Sequence, residues 1–171
     1  CLLYGSKQLA MWNGSAWVNK NNAANLTPLY GAAGFGNTFN TYTWASVVFQ
    51  KRLYFGTFDW SYLLADGLPQ IAKALGIALP EGFDVNALLQ AMGGSTAQFG
   101  ADFWRFNNAT TKAQSESING LGNGLNYGIR TLLADSNSLY VGMADPMNLK
   151  TAKGQLNGGW ELRKLTPRIG F

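Results

Sequence analysis

The chain has 171 residues, with 13 basic and 9 acidic side chains, no histidine and one cysteine. This length suits one ordinary domain, and the missing histidines exclude Ser-His-Asp and Cys-His catalytic sets, His-ligated metals and, with one cysteine, intrachain disulfides. Charged residues make up 13% of the chain, against about 25% in average globular domains, and the glycine and aromatic content favours β-structure with many turns.

The sequence also argues against a nucleic-acid partner and against a membrane-spanning segment. The basic residues are scattered, without the stripe of Lys and Arg expected of a nucleic-acid surface. No apolar run is long enough to span a bilayer, and no signal peptide is recognisable. Cys1 is interpreted either as the lipidated first residue of a mature bacterial lipoprotein or as the start of a fragment.

The first predicted elements are short strands. LLYGS at residues 2–6 and LAMWNG at residues 9–14 have strand-like composition, and NGSAWV at residues 13–18 supplies a turn and an outer strand. Both of the first two segments reappear further along the chain in altered form, which indicates a partial copy of a repeated unit.

A complete copy follows. It begins with the glycine-rich turn of Gly34–Asn40, continues as a buried strand over residues 41–49, and returns as a second strand through LYFGT at residues 53–57. The tight turn between these strands predicts a β-hairpin. A third strand is predicted in GADFWRF at residues 100–106, where large apolar and polar residues alternate.

Residues 65–98 differ from the rest of the chain and are predicted to form a helical insertion between strands of one unit. Helices are expected over Leu68–Leu75, with Pro69 in the first turn, and over Asp84–Met92, with Asp84 as the N-cap. Because this segment interrupts the repeat and carries an apolar Leu/Ala/Met face, we predict that its residues Leu68–Gly94 contact a partner protein.

A second complete copy aligns without gaps at an offset of 86 residues, and GWELRKL at residues 159–165 repeats the third strand. Removing the insertion leaves a unit of about fifty residues, close to the kelch repeat length. The identical pairs are Gly34/Gly120, Gly36/Gly122, Asn37/Asn123, Asn40/Asn126, Leu53/Leu139, Tyr54/Tyr140, Gly56/Gly142 and Asp59/Asp145.

These elements resemble a class of bacterial β-propeller-like repeat proteins, in which a GFGxxxN turn precedes a buried strand, then LYVGT, then GxEVWR. The segment Asn13–Trp17 also resembles a degenerate Asp-box of sialidase-like propellers. The resemblance implies an all-β fold in which residues 1–171 belong to one β-propeller domain. About two and two-thirds four-stranded blades are present, and because propellers close with about four to eight, the remaining blades are expected from the same or another chain.

The paired Asn and Asp side chains are candidate calcium ligands, because Ca²⁺ takes six to eight oxygen ligands. The alternative is that they satisfy backbone N–H groups in Asx-turns. The candidates are Asn37, Asn40, Asp59, Asn123, Asn126 and Asp145; no other cofactor is predicted.

Three further residues are candidate ligand contacts. Trp60 lies at the edge of the insertion, Tyr127 belongs to an aromatic set suited to sugars, and Arg130 replaces Trp44 in the second copy. Arg130 is expected either to bind an anion or to pair with a nearby aspartate. The other members of the aromatic set are Trp44, Trp104 and Trp160, which are also explained as packing residues.

No convergent catalytic set is visible, so the first hypothesis is a non-catalytic binding or assembly module that engages a protein partner. Its expected location is extracellular, on the cell surface or periplasmic. The alternatives are a fragment of a glycan-active, sialidase-like enzyme whose catalytic residues lie elsewhere, and a calcium-dependent carbohydrate-binding propeller.

Overall fold

The computed structural model describes residues 1–93, 99–146 and 158–166, which form a mostly β fold built around a curled antiparallel sheet. The strands are β1 (Leu2–Tyr4), β2 (Gln8–Trp12), β3 (Trp17–Asn21), β4 (Pro28–Gly31), β5 (Asn40–Phe49), β6 (Arg52–Asp59), β7 (Phe103–Phe106), β8 (Gln114–Ser117), β9 (Gly128–Ala134), β10 (Leu139–Ala144) and β11 (Leu162–Leu165). Helices α1 (Ser61–Ala74) and α2 (Val85–Ala91) lie between β6 and β7.

Strands β5 to β8 form a four-stranded antiparallel meander, which we call the first unit. The predicted hairpin of β5 and β6 is confirmed, and Phe49 pairs with Arg52 at its closed end. Gln50 and Lys51 connect the strands with φ angles of 48° and 61°, as a two-residue type I′ turn requires. Successive residues of β6 point to opposite faces, so different side chains line the two faces of this sheet.

Strands β9, β10 and β11 form a three-stranded antiparallel meander, the second unit. Its predicted hairpin is also confirmed. The turn over residues 136–138 is organised by Asp135, whose carboxylate accepts hydrogen bonds from the backbone N–H groups of Asn137 and Ser138 at 2.7 and 2.6 Å. This is Asx-type turn chemistry, in which a carboxylate replaces a backbone acceptor.

The two units join where β6 ends and β9 begins, at the pair Phe58 and Gly128. Between the units lies the main hydrophobic core, which is made of side chains from both. Ile129 packs directly over Gly56, where an added Cβ would lie 2.1 Å from the Ile129 Cβ. The core residues are Phe49, Ala101, Phe103, Ile129, Leu139, Val141 and Met143.

The other face of the first unit is covered by an aromatic layer from the beginning of the chain. Phe35 stacks on Phe55 and Trp104, with ring centroids 5.6 and 4.5 Å apart. Tyr4 of β1 contacts Phe35 at 4.7 Å, and its hydroxyl oxygen accepts a hydrogen bond from the Ala113 backbone N–H.

The repeat alignment matches residues 2–6 with residues 53–57 of β6, but β1 does not belong to an antiparallel meander as β6 does. β1 instead pairs in parallel with β4, because the contacts of Tyr4 hold it against the first unit. β2 and β3 form a separate hairpin, whose Trp12 and Trp17 side chains are 55% and 71% exposed.

The helices differ from the prediction at one end. The structure starts α1 at Ser61, seven residues before the predicted start at Leu68, and places Pro69 inside the helix. Asp59 explains this, because its carboxylate accepts hydrogen bonds from the backbone N–H and the hydroxyl of Ser61. Asp84 caps α2 as predicted by accepting from the Asn86 N–H. Residues 94–98, at the end of the predicted insertion, lie outside the described residues.

None of the helices in the described ranges combines the length and the apolar character required to cross a membrane.

Candidate functional site: two asparagine–carboxylate clusters

Each unit begins with a tight turn of the same unusual conformation. Gly34, Phe35 and Gly36 have φ angles of 63°, 59° and 90°. The second turn, over Gly120–Gly122, has φ angles of 64°, 58° and 89°. Three consecutive left-handed residues strongly favour glycine, which explains the Gly-x-Gly pattern. Both turns bring a backbone carbonyl close to the side chain of an asparagine at or just before the start of the next strand.

That asparagine connects each turn to a carboxylate. In the first unit Asn40 Nδ2 donates to the Gly34 carbonyl at 3.0 Å and to Asp102 Oδ2 at 2.6 Å. In the second unit Asn126 Nδ2 donates to the Gly120 carbonyl at 3.1 Å and to Glu161 Oε2 at 3.0 Å. The same residue type therefore makes the same two contacts in both units.

Asn37 and Asn123 occupy equivalent places in the turns, and each donates a hydrogen bond to a carboxylate. Their side-chain oxygens accept from backbone N–H groups two residues on, at 2.9 and 3.1 Å. Asn37 Nδ2 donates to Asp59 Oδ2 at 2.7 Å, whereas Asn123 Nδ2 donates to Glu161 Oε1 at 2.7 Å. These contacts direct amide N–H groups, rather than amide oxygens, at the carboxylates.

This geometry bears on the calcium candidates. Asn37, Asn40 and Asp59 lie in one cluster and Asn123 and Asn126 in the other; Asp145 is buried, at 7% exposure. The Asn37 and Asn123 oxygens make the Asx-turn contacts that the sequence offered as the alternative to calcium. Among the described residues, no group of three or more acidic, Cys or His side chains is arranged to hold a metal ion.

Thr57 completes the first cluster, which also contains Asn37, Asn40, Asp59 and Asp102. Its hydroxyl donates to Asn40 Oδ1 at 2.7 Å and accepts from the Asp102 backbone N–H at 2.9 Å. Met143 holds the equivalent position in the second unit, and Asn126 Oδ1 accepts no hydrogen bond from the described residues. Sequence reasoning missed Thr57, although its difference from Met143 within the aligned copies was a visible signal.

The two third-strand carboxylates have opposite environments. Asp102 is 2% exposed; its Oδ2 accepts from Asn40 and from Trp104 Nε1, while its Oδ1 accepts from no described residue. Glu161 accepts from Asn123 and Asn126 and forms an ion pair with Arg163, whose Nη2 lies 2.6 Å from Glu161 Oε2.

The pKa values differ accordingly. Burial raises the pKa of Asp102 to about 6 and the nearby Asp59 charge adds to this, while hydrogen bonds from Asn40 and Trp104 oppose it. Burial also raises the pKa of Asp59, against the hydrogen bonds from Ser61 and Asn37. Burial acts in the same direction on Glu161, but its hydrogen bonds and the Arg163 charge outweigh it and lower the pKa.

The ligand candidates do not form one site. Tyr127 and Arg130 lie at an aromatic patch that also contains Trp44: the Arg130 guanidinium lies 5.2 Å from the Trp44 ring centroid, a cation–π contact. Tyr127 reaches the patch through Phe58, edge to face at 5.8 Å. Trp60 packs instead against Phe39 beside α1, with ring centroids 5.1 Å apart.

The remaining members of the predicted aromatic set are also separate. Trp104 belongs to the Phe35 layer and Trp160 is 69% exposed. Comparison with known proteins adds nothing to this description, because no family model, curated protein or solved structure matches the chain.

Proposed function

We propose that this chain is a non-catalytic assembly module of the β-propeller type, and that the outer face of its second unit binds a further sheet unit supplied by a protein partner. The proposed contact would repeat the packing that is already present between the two units. It assigns no reaction to the chain.

The packing between the units runs from face to back. Tyr54, Gly56 and Phe103 of the first unit face the second unit, and in the alignment they correspond to Tyr140, Gly142 and Leu162. In the pairing of β10 with its neighbours, those equivalents lie on the side away from the core, together with Leu133. The first unit uses one face to contact the second unit. The second unit presents the equivalent face on its side away from the core.

The observation that carries the proposal is a difference in exposure at equivalent positions. Phe103 is 1% exposed because the second unit covers it, whereas Leu162 is 55% exposed. Leu133, which pairs with Tyr140, is 63% exposed. Exposed apolar patches of this kind mark interaction surfaces, and we call this one the outer face.

A secreted or cell-surface bacterial location belongs to the same proposal, and the resemblance to bacterial propeller-like repeats supports it. The four-stranded meander of β5 to β8 has the strand count of a propeller blade. Blades of a propeller pack around an axis with the face of one blade against the back of the next, and the packing between the two units supports the proposal because it also runs from face to back.

The test is site-specific cross-linking in cells that produce the protein. A photoreactive amino acid at position 162 or 133 should give a defined adduct with one protein segment, whereas the same group at exposed Glu81 should not. The captured segment, made separately, should bind the chain, and Leu162→Asp with Leu133→Asp should weaken binding at least tenfold. Unchanged binding by the double variant would overturn the proposal.

A second candidate function, carbohydrate binding, is favoured by the aromatic patch. Tyr42 is 51% exposed and stacks on Phe58 at 5.3 Å, next to Trp44 and the exposed Arg130. Flat, partly exposed rings on rigid strands suit the apolar faces of sugars. A glycan array comparing the chain with a Trp44→Ala variant tests this, since glycan binding should require Trp44.

A further inference from the structure

The first unit contains a small cavity beside its buried carboxylate. The cavity is about 270 Å³ and is lined by Asp102, Asn37, Ser115 and the ring residues Phe35 and Trp104, together with Gly36, Gly93 and Ile118. It is smaller than the pockets of about 300–1,000 Å³ that hold drug-sized ligands. Its volume therefore suits one side-chain-sized group.

Asp102, one of the lining residues, is a buried carboxylate with an incompletely satisfied oxygen. Asp102 is 2% exposed, and its Oδ1 accepts no hydrogen bond from any described residue. A buried carboxylate oxygen without a donor is costly, because removal from water is not compensated. A positive charge placed in the cavity beside Asp102 would compensate the buried carboxylate.

In the second unit the equivalent carboxylate, Glu161, accepts from Asn123 at Oε1 and from Asn126 at Oε2, and Arg163 supplies its counter-charge. There Arg163 donates from Nε and Nη2 to Glu161 and from Nη1 to the Leu121 carbonyl, at 2.7, 2.6 and 2.7 Å. In the first unit the corresponding residues are Trp104, Asp102 and Phe35. Trp104 supplies one neutral N–H to Asp102 but brings no positive charge.

From this comparison we propose that the cavity beside Asp102 binds a guanidinium group supplied from outside the chain. Asp102 would neutralise it, and the Trp104 ring, which stacks on Phe35 at 4.5 Å, lines the cavity as an aromatic surface of the kind on which guanidinium groups stack. The shared chemistry has two sources, a free small molecule or an arginine side chain of a protein partner. This site is separate from the outer face, so the guanidinium proposal and the proposed function can each be wrong without the other.

The experiment follows the Trp104 indole N–H resonance by NMR during titration with ethylguanidinium, with N-acetyl-arginine N-methylamide and with the lysine analogue of the latter. A saturable shift with ethylguanidinium shows that the site binds a free guanidinium group. A shift with the arginine amide alone assigns the site to a protein side chain. No saturable shift with either guanidinium compound would overturn the proposal, as would equal binding of the lysine analogue.

Two variants separate binding from structure. Asp102→Asn should weaken binding at least tenfold, while the charge-matched control Glu81→Gln should bind as the unaltered chain does. Trp104→Arg should abolish binding while the chain remains folded, because it supplies the internal cation that Arg163 provides in the second unit; its binding is followed by calorimetry. Retained binding in folded Trp104→Arg would overturn the proposal, even where Asp102→Asn fails to fold.

Discussion

The Thr57 hydroxyl donates a 2.7 Å hydrogen bond to the side-chain oxygen of Asn40. This contact closes the first cluster, because Asn40 uses its amide nitrogen for the turn carbonyl and for Asp102. The second unit has Met143 in place of Thr57, and the Asn126 oxygen has no such donor among the described residues. The first cluster thus includes a hydrogen bond that the second one lacks.

We expect Thr57→Val to lower the free energy of unfolding by about 1–3 kcal/mol, because it leaves the buried Asn40 oxygen without its donor. Urea unfolding measures the change. Thr43, which pairs with Thr57 across the strands and is exposed, provides the control, since Thr43→Val should have little effect. Equal effects of the two substitutions would contradict the assigned role of the hydroxyl.

The stability of the chain should depend on pH through Asp102. Its pKa is raised from 3.8 to about 6 in the folded state, so between these values the folded chain binds more protons than the unfolded chain. Stability from this group is therefore full below about pH 4 and is lost as the pH rises to 6, by roughly 3 kcal/mol.

Asp102→Asn cannot lose a proton, so its stability relative to the unaltered chain should improve from pH 4 to pH 7. Urea unfolding at several pH values compares the two proteins. The contribution of Glu161 is common to both proteins and cancels in the difference, whereas the contribution of Asp59 changes with the substitution because its charge interacts with Asp102. A difference that stays constant over this range would show that Asp102 titrates normally.

The interface between the units should be sensitive at Gly56. A methyl group there would lie 2.1 Å from Ile129 Cβ, so Gly56→Ala should destabilise the chain by about 1–3 kcal/mol or more through overpacking. At the equivalent Gly142 the nearest neighbour is Thr131 of the same unit, at 3.2 Å. Gly142→Ala should therefore cost much less, as thermal unfolding of both variants would show.

Chelation tests the calcium prediction. Since the Asn37 and Asn123 oxygens accept from backbone groups, we expect the thermal midpoint to be the same in EDTA and in millimolar calcium. A ligand that binds the folded state raises the midpoint. A clear rise with calcium would restore the candidate ligands and contradict the hydrogen-bonded interpretation.

The strands of the two complete copies could be predicted from sequence because local signals agree there. Alternating apolar residues, tight turns and the paired glycines all favour hairpins at β5–β6 and β9–β10. The Asn residues were also identified as important, since their spacing from the glycines is the same in both copies. Their partners, Asp102 and Glu161, lie far along the chain next to the third strands, where no local pattern indicates a contact with the turns.

Other elements depend on contacts that sequence patterns do not show. Strand β8 has the polar sequence QSES and forms because it completes the hydrogen bonds of β7. β1 pairs with β4 because Tyr4 reaches Phe35 on another segment. The early start of α1 depends on Asp59, which belongs to the preceding strand and accepts a hydrogen bond from the backbone N–H of Ser61, the first residue of the helix.

Face-to-back packing gives the molecule a direction. The layer at Tyr4 and the layer at Leu162 present dissimilar surfaces, so a contact that joined the Leu162 layer of one chain to the Tyr4 layer of another would be a contact between unlike surfaces. Contacts between unlike surfaces close into a ring when successive rotations add to a full turn, and otherwise continue as a filament. The rotation between neighbouring layers, and not the strength of any one contact, would then decide how many layers an assembly contains.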